Sequence, residues 1–191
     1  MKIVLSPSKT KTITTVDNDG AAHSAVQDGQ FQPHITQDLV KHVQSLDVAA
    51  LGKALKLKDD KAQALFEFYQ AFESHPVGLA CESYDGIAFK YLDWQNLSDE
   101  AKAFGESHLV VMSALYGVVE PMMGVRDYRL DMVDKIGINL YDTWREAVDA
   151  YFHKEDWILN LASKEYAKMV NHPKVVTVEF WELRGDAFKQ M

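Results

Sequence analysis

The stretch "HLVVMSALYG", residues 108–117, constrains the fold more than any other. Leu109, Val110, Val111 and Met112 follow one another with no polar break. An alternating pattern would bury one face of a sheet. A continuous apolar run needs cover on both faces, as strands inside a helix-flanked parallel sheet have. The run gives way to Ser113, Tyr116 and Gly117. The same change recurs twice. "MKIVL" leads into Ser6, Pro7, Ser8, Lys9 and Thr10, and "WIL" leads into Asn160, Ser163, Glu165 and Tyr166. Pro7 cannot donate to a sheet ladder, so the first strand ends there.

Helical spacing fills much of the rest. Leu39, Val43 and Leu46 begin an apolar stripe, and "SLDVAALGKALKL" continues it with Leu51, Ala54 and Leu55. Asp59 or Asp60 can cap "KAQALFEFYQAF", where Ala62, Leu65, Phe66, Tyr69 and Phe72 share a side. "NLYDTWREAVDAYF" reads as an amphipathic helix, Ser98 as a helix start and "KEYAKMV" as a short helix. "LACESYDGIAFKYL" reads as a strand, a turn at Asp85–Gly86 and a second extended piece. "VVEPMMGVRDYRLDMV" has no clean period and reads as a structured loop. "KVVTVEFWEL" reads as one strand, Arg184-Gly185-Asp186 as a turn, and "AFKQM" as the start of a returning strand. Lys11 to Pro33 reads as a long irregular loop. The expected fold class is mixed α/β (α+β), a mixed sheet flanked by helices. Its expected core includes Ile3, Leu5, Val110, Met112, Ile158 and Val176. One domain is expected over 1–191, with a helical subregion over 35–75.

Composition narrows the function classes. Hydrophobic residues make up 47% of the chain, enough for a sizeable core and too many for general disorder. No apolar run approaches a membrane span and the N-terminus has no signal-peptide pattern, so a cytoplasmic protein with no membrane partner is expected. Cys81 is the single cysteine, which excludes an internal disulfide and fits a reducing compartment. The net charge of −8 means that nucleic acid would have to meet a local basic patch.

Two such patches are visible. Hydroxyls, free backbone N–H groups and a lysine just beyond a strand end suit an oxyanion, as in Ser6, Ser8, Lys9 and Thr10. "RDYRLDM" adds Arg126 and Arg129, which can grip phosphate in a bidentate way or pair internally with Asp127 and Asp131. Polar residues after parallel strands emerge on one sheet edge, so Ser8, Lys9, Arg129 and Asn160 are expected to converge. Ser163 can instead cap the helix that follows it. The second patch is "GKALKLKDDK", with Lys53, Lys56, Lys58 and Lys61 around a helix-to-helix turn. It can meet DNA phosphates without reading bases, or stand as a solvated helix face. No histidine pair has ligand spacing, and the chain has neither a Gly-x-Ser-x-Gly elbow nor a Gly-rich dinucleotide loop, so no metal or cofactor is expected.

"LSPSKT", "YDGIAFKYL", "MSALYGVVEP" with "YRLDM", "LYDTW" and "NLASKEY" occur in the order and approximate spacing of the YaaA family of bacterial peroxide-stress proteins. The chain resembles that family over nearly its whole length. The resemblance implies a mixed α/β fold with a helix-hairpin-helix-like element, placed here at Leu46 to Phe72, and a positively charged cleft. It implies a role in peroxide (oxidative) stress associated with limiting free intracellular iron, and binding to duplex or branched DNA. No reaction is firmly attached to the family. By its motifs, Ser6, Ser8, Lys9 and Thr10 line the cleft, with Asp85, Tyr116, Arg126, Arg129, Asn160, Ser163 and Tyr166 nearby. Two departures stand out. The helical turn lacks the Gly-x-Gly of well-formed hairpins, and the family's basic Lys-Lys-x-Arg-Gly segment is expected to be missing here. The alternative function is a small enzyme acting on a phosphorylated or nucleotide substrate in the same cleft, with a carboxylate such as Asp85 as base.

Overall fold

The structure is a computed structural model that describes residues 1–13, 31–185 and 187–190. Most of the loop expected over Lys11 to Pro33 lies outside the described residues. The chain forms β1 (Lys2–Leu5), α1 (Pro33–Gln44), α2 (Val48–Leu55), α3 (Asp59–Gln70), β2 (Gly78–Leu79), α4 (Ala80–Ser83), α5 (Ile87–Leu92) and α6 (Asp99–His108). There follow β3 (Leu109–Ser113), β4 (Gly117–Val119), β5 (Gly124–Val125), α7 (Leu140–Phe152), β6 (Ile158–Asn160), α8 (Lys164–Ala167), β7 (Val175–Thr177), β8 (Trp181–Arg184) and β9 (Ala187–Gln190).

The main sheet has the order β4-β3-β1-β6-β7. β1 lies parallel to both β3 and β6, β7 lies parallel to β6, and β4 turns back antiparallel on β3. This is the mixed α/β fold that the continuous apolar strands imply. β3 is buried along its whole length, with Val110 and Met112 fully enclosed, and Ile158 is enclosed on β6. In β1 the fully buried residue is Val4; Ile3 and Leu5 are half-buried against a smaller apolar cluster of Leu79, Cys81, Trp94 and Leu109. The β3–β4 connection is locked from below. Trp144 of α7 donates its indole N–H to Ala114 O at 2.9 Å, and Gly117 adopts φ +72 directly over the indole ring.

Five local readings are corrected. Residues 80–83 form α4 rather than a strand, and residues 87–92 form α5 rather than an extended piece, with a bend at Gly86 between them. Short apolar runs satisfy either period, and Gly86 gives α5 a free start. "KVVTVEFWEL" divides into β7, which joins the main sheet, and β8, which among the described residues pairs with β9 alone. Val176 is 55% exposed rather than in the core, because β7 is an edge strand and Val175 takes its inward side. In the helical subregion, Lys58 rather than an aspartate is the N-cap of α3. Asp59 and Asp60 fall in its first turn, where they complement the helix dipole.

Candidate functional site at the sheet switch point

The chain leaves β1 for β3 on one side and leaves β6 for β7 on the other. The crevice beyond the carboxyl ends of β1 and β6 is therefore the topological switch point, the place where open α/β sheets build sites. Ser6 follows β1 and Ser163 follows β6. Ser6 Oγ accepts the Ser163 backbone N–H at 2.8 Å and donates to Ser163 Oγ at 3.1 Å. Ser163 makes no side-chain cap to α8. Its hydroxyl ties the two strand ends instead.

Asp131 is the hub of the cluster above them. Lys9 Nζ lies 3.1 Å from its Oδ2, the Arg129 guanidinium pairs with the same oxygen, and Tyr166 donates to Oδ1 at 3.2 Å. Arg129 also lies 3.8 Å from Asp134, whose carboxylate accepts the Asp131 N–H at 2.8 Å. Burial works to raise the Asp131 pKa, but Arg129 and Lys9 together hold it below the usual carboxylate value. Burial and the nearby Asp131 charge push Glu165 the other way. Two carboxylates of opposite proton affinity thus share the crevice.

A second layer lies beneath. Lys11 donates to Tyr128 O at 2.8 Å with Nζ 4.0 Å from the Tyr128 ring centre, and 5.6 Å from that of Tyr84. The Tyr128 hydroxyl bonds Ser113 Oγ at 2.7 Å and the Tyr84 hydroxyl at 3.2 Å. Burial pushes the Tyr128 phenol up to about 12 and the Lys11 amine down to about 8. Ser113 accepts the N–H groups of Leu115 and Tyr116, so the network also fixes the turn after β3.

The other residues singled out from sequence fall into three groups. Ser8, Thr10 and Asp85 sit together at the near wall. The Asp85 N–H donates to Thr10 O at 3.0 Å, Lys90 pairs with Asp85 at 3.2 Å, and a Cβ on Gly86 would sit 2.8 Å from Ser8 Oγ. Asn160, Tyr116 and Arg126 are buried and already engaged. Asn160 accepts the Ala162 N–H and donates to Thr177, and Tyr116 accepts the Arg126 N–H. Arg126 reaches away to Glu73 and to the His75 carbonyl. Of the four residues expected to converge, Lys9 and Arg129 meet on Asp131. Asn160 reaches the same sheet edge but faces into it. Lys53, Lys56, Lys58 and Lys61 form a separate surface, all exposed, and none of them pairs with a carboxylate among the described residues. The sequence reading passes over Lys11. Its only signal is the alternation "SKTK", which turns Lys9 and Lys11 to the same side of an extended segment. Among the described residues no group of three or more His, Cys, Asp or Glu is placed to hold a metal ion, and no helix is long and apolar enough to cross a membrane.

Fold and site define a mixed α/β protein with an ion-paired polar crevice at the switch point of a mostly parallel sheet. A family model described as "Peroxide stress protein YaaA" matches residues 1–191. A UPF0246 protein of Finegoldia magna is 33% identical over 170 residues, 89% of this chain and 66% of the relative. Another, from Desulfitobacterium hafniense, is 35% identical over 176 residues, 89% of this chain and 68% of the relative. A third, from Rickettsia bellii, is 32% identical over 165 residues, 80% of this chain and 66% of the relative. The chain belongs to the peroxide stress protein YaaA family. It spans about two thirds of the length of the curated relatives it matches.

Proposed function

We propose that the protein acts in the cytoplasm in the response to peroxide and binds duplex or branched DNA, chiefly through the α2–α3 hairpin, with the crevice as a secondary contact. Its effect on free intracellular iron is indirect, exerted through DNA rather than by holding the metal. One observation carries the reading: Lys53, Lys56, Lys58 and Lys61 are all exposed around one turn, without carboxylate partners among the described residues. Lys9 and Arg129 are less available, because a phosphate must first displace Asp131. The test is fluorescence anisotropy with duplex and four-way-junction DNA across a salt series. Four lysine–phosphate contacts give a slope of about −3 to −4 in log affinity against log salt. A flat slope, or unchanged affinity when all four lysines become glutamine, refutes the hairpin as the contact.

A second reading is favoured by the crevice itself. Asp131 held ionised beside a Glu165 of raised pKa is the pattern of an acid–base pair. Under that reading the protein is a small enzyme acting on a phosphorylated or nucleotide substrate. The Asp131–Glu165 pair then fits the chemistry better than Asp85, which is held by Thr12 and Lys90. Turnover in a nucleotide and sugar-phosphate panel, abolished by Glu165→Gln, supports it. No turnover across the panel removes it.

A further inference from the structure

A groove of about 440 Å³ runs between α2 and the loop that follows Asp131. Its floor is aliphatic, made by Leu46, Ala50, Ala54 and Ile136, and its rim carries Lys53, Lys56 and Lys135. The Lys135 N–H donates to Ala54 O at 3.4 Å, which closes the loop against the helix and sets Lys135 opposite the two hairpin lysines. Among the described residues no carboxylate lines the groove. All three lysines are exposed.

We propose that this groove binds a linear alkyl-chain anion, its chain along the aliphatic floor and its carboxylate or phosphate head among the three lysines. The floor decides between ligands. It offers no side-chain donor to a phosphodiester and no aromatic ring on which a base could stack, so nucleic acid would gain only at the rim. An alkyl chain gains along the whole length. Each fully buried methylene adds about fourfold in affinity. Three cations, with no carboxylate among the groove's lining residues, then select an anionic head over a neutral one. The site shares Lys53 and Lys56 with the DNA reading but does not rest on it.

Isothermal titration with decanoate, butyrate and decanol tests the proposal on the full chain. Saturable decanoate binding is expected, with butyrate and decanol each weaker by at least about tenfold, given the methylenes and the charge they lack. Ala50 is exposed, so Ala50→Phe fills the groove without disturbing the core and is expected to abolish decanoate binding. Lys135→Ala is expected to weaken it several-fold. Absence of saturable decanoate binding overturns the proposal. So does equal binding of butyrate or inorganic phosphate, which would mark a plain anion site. So does undiminished binding by a folded Ala50→Phe protein. The DNA reading fails separately: Ala50→Phe leaves every hairpin lysine in place, so its DNA affinity is expected to match that of the parent.

Discussion

Ser6 and Ser163 are 157 residues apart in sequence, yet one hydroxyl oxygen, Ser6 Oγ, accepts a backbone N–H from Ser163 and donates to its side chain at 3.1 Å. The contact fastens the carboxyl ends of β1 and β6 at the switch point. Ser6→Ala removes the acceptor for that N–H and is expected to cost about 1 kcal/mol. Ser163→Ala keeps the backbone bond and is expected to cost less than half as much. Urea unfolding of both variants checks the order, and equal costs would show that the backbone bond contributes nothing.

Gly117 is fixed by conformation and by space together. Its φ is +72, and an added Cβ would lie 2.6 Å from two carbons of the fully buried Trp144 ring. Gly117→Ala is expected to destabilise by about 3 kcal/mol or more, combining left-handed strain with overpacking. A loss below about 1 kcal/mol in thermal or urea unfolding would mean that the indole can move aside.

The hairpin turn carries the opposite situation. Lys56 has φ 53, a conformation in which glycine ordinarily ends a helix. Lys56→Gly is expected to raise stability by about 0.5–1 kcal/mol. Under the DNA reading the same change lowers affinity and reduces the salt slope by about one. A more stable protein with an unchanged salt slope would remove Lys56 from the contact.

Asp131 gives an acid-side prediction. Its folded pKa is depressed, so the stability it contributes is present above the ordinary 3.8 and is lost as pH falls through the lower folded value. Glu165 and Asp134 are raised, so protonating them on the way down works in favour of the fold. The expected profile has a shallow maximum near the ordinary carboxylate values and a loss below them. Asp131→Asn leaves Lys9 and Arg129 facing an uncharged group and is expected to cost about 2 kcal/mol at neutral pH. It also flattens the acid limb. Lys9→Ala, at a side chain 70% exposed, is expected to cost under about 1 kcal/mol. Urea midpoints measured from neutral pH into acid test all three statements.

Local pattern carried much of the fold. The unbroken apolar run of β3, the stripe of α7 and the stop at Pro7 each follow from nearest neighbours, and each is where it was expected. The failures share a cause. α5 and the division of β7 from β8 involve runs of about six residues or fewer, where both periods fit and packing decides. Val176 escapes the pattern because sequence does not say which strand lies at an edge. For the candidate site, the strand-end residues were legible because topology delivers them to one edge. Their partners were not. Arg126 and Arg129 are three residues apart, yet one turns to Glu73 and the other to Asp131.

The sequence by itself determined the central strands β1, β3 and β6 and the longer helices, which polar residues follow those strands, and that the chain belongs among the peroxide stress proteins of the YaaA family. Those properties rest on short-range sterics, hydrophobic period and motif order, all written along the chain. Only the tertiary structure decided that Asp131 gathers Lys9, Arg129 and Tyr166, that Lys11 lies over the Tyr128 ring, and that Lys135 faces the hairpin lysines across an aliphatic groove. Charge pairing and burial depend on distances between segments far apart in sequence. Those distances are set when the strands choose their neighbours in the sheet.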